Sequence, residues 1–302
     1  MRVAGVVGGG PAGSISITIH LMKITRRMFL QAFGATALSG ASTWVYSRHI
    51  EPQWVEFVPR SLPIRHLPPA LVGKTVLQLS DIHIGNRYDW SYLPDVWADA
   101  AILKPDIVLY TGDFVSYETA EQLEQLEEAL ASAPQGTLGS FAILGNHDYG
   151  HGWSQLDVAD AVVSRLANHG IRTLRNETAT VAGLNITGLD DFWSPNYNPA
   201  EALAKLDANA ANLVLCHNPD VVDEPIWAGY EGWILSGHTH GGQVKPPFLP
   251  PPVLPVRNKR YTAGHIDLGD GRQLYINRAL GHLWQIRFNV RPEVTVFTLR
   301  AG

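Results

Sequence analysis

The sequence predicts an α/β domain in which short strands and helices alternate along the chain. With 302 residues, of which 45% are hydrophobic and 17% charged, the chain can bury one large core or two modest ones. Beyond residue 71, short apolar runs alternate with segments whose apolar residues recur every three or four positions. Polar motifs follow several of the apolar runs, as expected where ligands bind at the carboxyl ends of strands. These observations favour a mainly parallel or mixed sheet covered by helices.

The first 21 residues contain a glycine-rich motif that we do not expect to be functional. Residues 8–13 read G-G-G-P-A-G, which satisfies the G-x-G-x-x-G fingerprint of dinucleotide-binding folds. That fingerprint requires an acidic residue about 20 positions further on, and the sequence has no carboxylate before Glu51. We therefore expect residues 1–21 to be a non-native or disordered N-terminal extension, with Met22 as the natural start.

Residues 22–50 have the pattern of a targeting segment. Residues 25–30 read T-R-R-M-F-L, which resembles the twin-arginine export signal, and a moderately apolar stretch follows. Glycines and hydroxyl residues make that stretch a poor membrane-spanning helix. We expect the twin-arginine export machinery to carry the protein to the periplasm or the outer face of the cytoplasmic membrane. The alternative is a chance Arg-Arg pair ahead of an ordinary anchor, and cleavage near Ala41 or retention as a membrane anchor both stay open.

The folded domain is expected over residues 71–302. Residues 51–70 contain several prolines and are interpreted as a linker. Helices are predicted at 93–100, 123–130 and 156–166. The strand candidates are 75–79, 107–110, 141–144, 184–187, 213–216, 233–235, 273–276 and 294–299.

Polar motifs follow five of the strand candidates. They are D-I-H at 81–83, G-D at 112–113, G-N-H-D at 145–148, C-H-N at 216–218 and G-H-T-H at 237–240. Because ligands bind outside the carboxyl ends of strands in α/β sheets, these motifs are expected to converge in space. A single D-x-H or H-x-H occurs often by chance, whereas five motifs at the same relative position indicate one site.

The side chains of these motifs indicate metal chemistry. Imidazole and carboxylate together suit zinc, iron or manganese better than magnesium, and about seven ligands are too many for one four-coordinate ion. The single cysteine, Cys216, excludes an intrachain disulfide and a multi-cysteine zinc site. The net charge of −5 excludes a global positive field that would hold nucleic acid. Glycines beside the motifs, such as Gly112 and Gly237, allow tight turns next to the ligands.

The order D-x-H, G-D, G-N-H-D, H and G-H-x-H resembles the calcineurin-like metallophosphoesterases over residues 71–243. The segments S-D-I-H at 80–83, H-N-P-D at 217–220, G-H-T-H-G-G-Q at 237–243 and R-F-N-V-R-P-E at 287–293 are similar to a bacterial subfamily that often has a twin-arginine signal. The resemblance implies the calcineurin-like phosphoesterase fold, a β-sandwich of two mixed sheets flanked by helices.

The resemblance also implies that seven of the motif residues hold two divalent metal ions, expected to be manganese, iron or zinc. One ion would be held by Asp81, His83 and His240, the other by Asn146, His217 and His238, with Asp113 bridging the two.

The implied reaction is hydrolysis of a phosphate ester. A hydroxide that bridges the two ions would be the nucleophile. His147 would protonate the leaving oxygen or stabilise the phosphoryl charge, and Asp148 would orient His147 through a hydrogen bond. Trp153, Trp193 and Trp284 fall in predicted loops and are candidates for the wall of the cleft.

Three functions are weighed for this site. A phosphodiesterase or phosphomonoesterase accounts best for the ligand set together with the export signal, and the diesterase is preferred. A pyrophosphate hydrolase of a nucleotide-linked lipid such as UDP-diacylglucosamine is the second, although export separates it from cytoplasmic lipid precursors. A non-catalytic metal-binding scaffold is the third, and the intact ligand set argues against it.

Overall fold

The computed structural model describes residues 25–85 and 87–302, so the glycine-rich motif at 8–13 and the expected extension at 1–21 lie outside the described residues. The described chain divides into two units at the boundary between Thr43 and Trp44. Helix α1 (Arg26–Val45) includes the Arg-Arg pair, and none of its residues is buried. No helix in the described ranges combines the length and apolarity needed to cross a membrane.

The second unit contains all strands of the described chain. The strands are β1 (Glu56–Ile64), β2 (Thr75–Leu79), β3 (Ile107–Thr111), β4 (Gly139–Ile143), β5 (Ile171–Thr173), β6 (Glu177–Val181), β7 (Leu184–Gly188), β8 (Ala211–Leu215), β9 (Gly232–Ser236), β10 (Gly264–Asp267), β11 (Arg272–Ile276) and β12 (Glu293–Ala301). The helices of this unit are α2 (Leu93–Ile102), α3 (Glu121–Leu130), α4 (Leu156–Asn168) and α5 (Pro199–Leu203).

The strands form two mixed sheets of six strands each. The first has the order β1-β12-β2-β3-β4-β5, and the second β10-β11-β9-β8-β7-β6. β2 to β5 are parallel to one another, as are β7, β8, β9 and β11, while β6 and β10 run antiparallel at the edges of the second sheet. This is the predicted sandwich of two mixed sheets flanked by helices.

Three apolar clusters hold the layers together. In β3, Ile107 and Leu109 pack between the sheets, whereas Val108 and Tyr110 pack under α2 to α4. Such continuous apolar runs are typical of strands that are buried on both faces. The third cluster covers the outer face of the second sheet and includes Val214 and Ile234. The fold therefore has four layers, with the parallel strands in the middle.

The predicted linker at 51–70 is wrong for most of its length, because residues 56–64 form β1. β1 pairs with β12 in parallel register from Glu56 to Ile64, and Leu62 and Ile64 are buried between the sheets. Its prolines are tolerated because β1 is an edge strand, where one row of N–H groups needs no partner. Strands β5, β6 and β10 were also not predicted, since they are short or lie at the edge of a sheet.

Candidate metal centre

The five predicted motifs lie at the carboxyl ends of β2, β3, β4, β8 and β9, immediately after each strand. The two loops after β2 and β3 run side by side, because the N–H of Asp81 donates to the carbonyl of Gly112 and the N–H of His83 donates to that of Asp113. The loop after β9 joins the loop after β8 through a bond from Gly237 N–H to His217 O. Adjacent parallel strands thus deliver the motifs to one end of the sandwich, as predicted.

One group of ligands consists of Asp81, His83 and His240, all buried. The Nε2 atoms of His83 and His240 are 3.0 Å apart, and Asp81 Oδ1 lies 3.2 Å from the Nε2 of His240. The main-chain N–H of His238 donates to both carboxylate oxygens of Asp81. This bond ties the β2 loop to the β9 loop.

A second group consists of Asp113, His217 and His238, also buried. Asp113 Oδ2 lies 3.1 Å from His217 Nε2 and 3.5 Å from His83 Nε2, so this oxygen lies between the two groups. His238 directs Nδ1 toward His217 Nε2, at 3.3 Å. The carboxylate of Asp113 is thus in the position expected of a bridging ligand.

Asn146, which the resemblance assigns to the second group, follows Gly145 in the loop after β4. Its side chain is buried, yet its Oδ1 has no hydrogen-bond partner among the described residues. A buried amide oxygen without a partner costs free energy unless a ligand satisfies it. The unpaired oxygen and the converging imidazole nitrogens therefore fit a pair of divalent cations.

Burial leaves two of the ligand imidazoles neutral, whereas neighbouring carboxylates favour the protonated form of a third, which must lose its proton to bind a metal. Burial lowers the pKa of His83 well below its usual value and that of His238 to about 3, so both rings have a free lone pair at neutral pH. Burial opposes ionisation of Asp81 and Asp113, but neighbouring histidines outweigh it and keep both carboxyl pKa values below the usual range. Burial lowers the pKa of His217, but the carboxylates of Asp113 and Asp81 outweigh burial and raise this pKa well above its usual value.

Three of the four ligand imidazoles are fixed by a partner behind them, whereas the Nδ1 of His240 has no partner among the described residues. The sequence did not predict these partners. His83 Nδ1 contacts Ser116 Oγ at 3.0 Å, and His217 Nδ1 contacts the carbonyl of Thr111 at 2.7 Å. His238 Nε2 lies 3.0 Å from the carbonyl of Pro255. These contacts determine which ring nitrogen faces the centre. Main-chain carbonyls leave no signal in a sequence motif.

The backbone of the ligand loops is strained. The residues Asp81, His83, Asp113, His238 and His240 all have positive φ angles, between 47° and 71°. Residues other than glycine rarely adopt this backbone conformation, and such strain is concentrated at functional sites. A Cβ on Gly112, whose φ is 92°, would lie 2.7 Å from His217 Nδ1. The predicted need for glycine beside the ligands is explained here by both φ and close packing.

His147 lies at the mouth of the centre, in a partly buried position. Its N–H donates to Asp113 Oδ1, and its ring packs edge-on against His83, with the centroids 5.0 Å apart. Among the described residues, no hydrogen bond engages its ring. Burial lowers the pKa of His147, so the ring is neutral at neutral pH and can present an N–H donor.

The predicted role of Asp148 is wrong. Its carboxylate does not bond to His147 but accepts three main-chain N–H groups, from Phe114 and Val115 at Oδ1 and from Gly145 at Oδ2. Asp148 therefore joins the loop after β3 to the loop after β4. It positions Asp113 and Asn146 from behind.

Two of the three predicted tryptophans form a wall beside the centre. Trp153 and Trp193 stack with centroids 4.8 Å apart and an interplanar angle of 18°. Trp193 packs edge-on against His238 at 4.8 Å, and Trp153 lies 6.5 Å from the ring of His147. Trp284 lies on an exposed loop and contacts neither of them in the described chain.

Asp191 lies near the centre but belongs to none of the five motifs predicted from the sequence. It is buried, its Oδ1 accepts the N–H of Trp193, and its Oδ2 has no partner among the described residues. Burial raises the pKa of Asp191 to about 7, and the charge of His217 acts on it in the opposite direction. Two aspartates, Asp190 and Asp191, follow β7 just as the five motifs follow their strands. This position is the feature of the sequence that could have predicted Asp191 as a site residue.

The fold and this site define a hydrolase with a dinuclear centre of divalent metal ions. The model of the family described as calcineurin-like phosphoesterase matches residues 74–242. The chain belongs to this family and is a metallophosphoesterase, a hydrolase that acts on phosphate esters.

Three curated relatives match nearly the whole chain. Phosphodiesterase YaeI of Escherichia coli is 33% identical over 284 residues, which cover 91% of this chain and 99% of the relative. The uncharacterized metallophosphoesterase YkuE of Bacillus subtilis is 31% identical over 296 residues, covering 93% and 99%. UDP-2,3-diacylglucosamine pyrophosphatase LpxG of Chlamydia trachomatis is 30% identical over 304 residues, covering 83% and 91%.

Proposed function

We propose that the protein is a phosphodiesterase that hydrolyses its substrate at the paired ligand groups. The observation that carries the proposal is the position of Asp113 Oδ2, within 3.5 Å of an imidazole nitrogen from each group. The other oxygen of Asp113 is occupied by the N–H of His147. The Oδ2 atom would therefore be available to a metal ion in either group.

The ligand assignment follows from the two groups. Asp81, His83 and His240 would hold one ion, Asn146, His217 and His238 would hold the other, and Asp113 would be a ligand of both. The donor set of imidazole, carboxylate and amide oxygen favours manganese, iron or zinc over magnesium. When bound, two such ions supply an activated water and neutralise charge on the phosphoryl oxygens.

His147 acts on the departing group. Its ring faces the mouth of the cleft beside Trp153, while its main-chain N–H fixes it to Asp113. From there its ring N–H would donate a hydrogen bond to the leaving oxygen or to a phosphoryl oxygen and stabilise the charge that develops there. Asp148 acts through the loops, as a positioning residue.

A second candidate reaction is cleavage of the pyrophosphate of a nucleotide-linked lipid. It is supported by the relative LpxG, whose name gives UDP-2,3-diacylglucosamine as its substrate. The same centre would serve, because a pyrophosphate and a phosphodiester present the same phosphoryl oxygens. A non-catalytic scaffold is disfavoured, since the ligand positions and His147 are intact.

We further propose export by the twin-arginine machinery, which would place the enzyme in the periplasm or on the outer face of the cytoplasmic membrane. The T-R-R-M-F-L segment at 25–30, at the start of an exposed helix, supports this location. Membrane association through the same segment is compatible with its exposed apolar side chains, such as Phe29 and Phe33.

The first test measures metal content by elemental analysis alongside hydrolysis of bis-p-nitrophenyl phosphate and p-nitrophenyl phosphate, with manganese added. About two metals per chain with preferential cleavage of the diester are expected. Release of UMP from UDP-diacylglucosamine with weak diester cleavage would support the second candidate. Neither metal nor hydrolysis after reconstitution would support the scaffold.

A further inference from the structure

Large apolar side chains are exposed on two loops beside the metal centre. We call these residues the apolar rim. The exposed fractions are 105% for Phe248, 58% for Leu249, 67% for Val253, 66% for Trp284 and 36% for Ile286. Single exposed apolar residues are common on protein surfaces, whereas a contiguous set of them marks an interaction site.

The two loops of the apolar rim are bonded to each other at their base. The N–H of Lys245 donates to the carbonyl of Phe288, at 2.9 Å. The side-chain amide of Gln243 donates to the carbonyls of Trp284 and Ile286, at 3.1 and 3.0 Å. The first loop contains the proline-rich run at 246–255, and proline restricts the backbone. The rim is therefore a fixed surface, so little conformational entropy is lost when it binds.

The apolar rim borders the metal centre directly. Gly242 follows His240 by two residues, and a Cβ at Gly242 would lie 2.3 Å from Pro251 Cβ. The same loop then brings the carbonyl of Pro255 to within 3.0 Å of His238 Nε2. A surface bound to the rim would thus face the mouth of the centre.

The two chain segments that form the rim contain cations and no acids, although acids from other elements pair with some of these cations. Residues 243–266 contain four cations and no aspartate or glutamate, and residues 277–292 contain three cations and no acid, although the whole chain has a net charge of −5. Three of these cations are not available to a partner, because Arg257 pairs with Glu224, Arg278 pairs with Glu293 and Arg287 is buried. The side chains that are exposed and make no ion pair within the described residues are those of Lys245, Lys259 and Arg260. The exposed cations of the loop that carries Phe248 therefore favour an anionic partner.

The N-terminal segment joins the domain beside the same rim. The N–H of Arg287 donates to Ser47 O, and the guanidinium of Arg48 donates to Gln285 O at 2.6 Å. The carboxylate of Glu51 accepts the N–H groups of Asn289 and Val290. The chain therefore enters the domain at the loop that carries Trp284 and Ile286.

From these observations we infer that the apolar rim docks on an anionic phospholipid bilayer. Exposed Phe, Leu and Trp side chains beside exposed cations that make no ion pair match the chemistry of such an interface, where apolar groups insert and cations meet lipid phosphates. Docking there presents the metal centre to phosphate esters at the membrane surface. The inference goes beyond the proposed hydrolysis and does not require it.

The test compares vesicle binding by three full-length proteins, all with the same N-terminal segment. They are the wild type, the rim variant Phe248→Ser/Leu249→Ser, and a control variant Ile102→Ser/Leu138→Ser, whose two apolar residues are also exposed but lie away from the rim. Binding is measured by flotation with vesicles of phosphatidylethanolamine and phosphatidylglycerol, and with vesicles of phosphatidylcholine. Hydrolysis of a soluble diester is measured in the same samples.

The rim variant is expected to bind anionic vesicles at least about tenfold more weakly than the wild type, while the control variant binds normally. Lys245→Glu should weaken binding to anionic vesicles at low salt and leave binding to phosphatidylcholine unchanged. Equal vesicle binding by the rim and control variants would overturn the inference. The inference would also be overturned if the rim variant lost self-association, measured by light scattering, but still bound vesicles. Normal soluble hydrolysis separates any such outcome from a failure of the proposed function.

Discussion

At the scale of single residues, the centre depends on side chains that are fixed before any metal binds. His83 and His217 each direct Nε2 toward the ligands because Nδ1 is occupied by Ser116 and Thr111. The sequence motifs predicted which residues lie at the centre. Their imidazole and carboxylate groups indicated that the ligands are metal ions. The choice of ring nitrogen depends on atoms that lie far away in sequence.

Replacing His147 with alanine should lower the rate without loss of metal. Its ring contacts no ligand oxygen, so metal content should stay at the wild-type level, while kcat falls by about 10²–10⁴-fold. Diesters with poor leaving groups should be affected most, because the most negative charge develops on their leaving oxygen. Elemental analysis with kcat for a leaving-group series checks this, and loss of metal would reassign His147 as a ligand.

Replacing Trp153 with alanine should weaken binding of diesters that carry a flat aromatic group. Trp153 stacks on Trp193 beside the centre, so an aromatic substituent can pack against this wall. KM for bis-p-nitrophenyl phosphate is expected to rise about three- to tenfold with little change in kcat. Trp284→Ala, which removes an exposed tryptophan from another loop, is the control. Equal KM values for both variants would exclude the wall from substrate binding.

At the scale of elements, strands place the ligands and the loops after them supply the geometry. The alternation of strands and helices predicted the parallel strands well, because their apolar runs are buried on both faces. β1 escaped prediction because its prolines and exposed residues are tolerated at the edge of a sheet. Its pairing with β12 is a contact between the two ends of the domain.

Replacing Leu62 in β1 with alanine should destabilise the protein by about 2–5 kcal/mol, as expected for a cavity in a packed core. Leu62 is fully buried between the sheets, which a linker residue would not be. Ser61→Ala, the exposed neighbour, should change the free energy of unfolding by less than about 0.5 kcal/mol. Urea unfolding of both variants measures the difference, and similar values would argue against β1 as part of the core.

Replacing Asp148 with alanine should loosen the loops after β3 and β4 together. Three main-chain N–H groups would lose their acceptor, which should cost about 3 kcal/mol or more of stability. Metal affinity should fall about 10–100-fold, as for residues that orient ligands from behind. Asp99→Ala, an exposed aspartate on α2, is the matched control in unfolding and metal titration. Unchanged metal affinity would limit Asp148 to stability alone.

At the scale of the whole molecule, the centre connects the two sheets. Asp81, His83, Asp113 and Asn146 come from the first sheet, and His217, His238 and His240 come from the second. Metal ions shared by both sets of ligands would add to the interactions between the sheets. Metal binding and folding stability should therefore be coupled.

Chelation should lower the melting temperature of the metal-loaded enzyme by roughly 10 °C. A ligand present at 1,000 times its Kd stabilises the folded state by about 4 kcal/mol. In a domain of this size, each kcal/mol raises the melting temperature by about 2–4 °C. Asp113→Ala, which lacks the bridging ligand, should show a much smaller change on chelation. Scanning calorimetry with and without chelator measures both, and an equal fall in the two proteins would mean that the chelated metal lies elsewhere.

The sequence by itself determined the class of the fold, the order of the motifs and the ligands, because strand periodicity and metal-binding side chains are local properties. Residue type alone showed that Asp81, His217 and their counterparts suit divalent metals. The tertiary structure decided that residues 56–64 are a strand, that Asp148 supports the loops instead of His147, and that Trp153 stacks on Trp193. It also decided where the apolar rim lies. Each of these depends on contacts between distant segments, which are fixed only when the two sheets pack together.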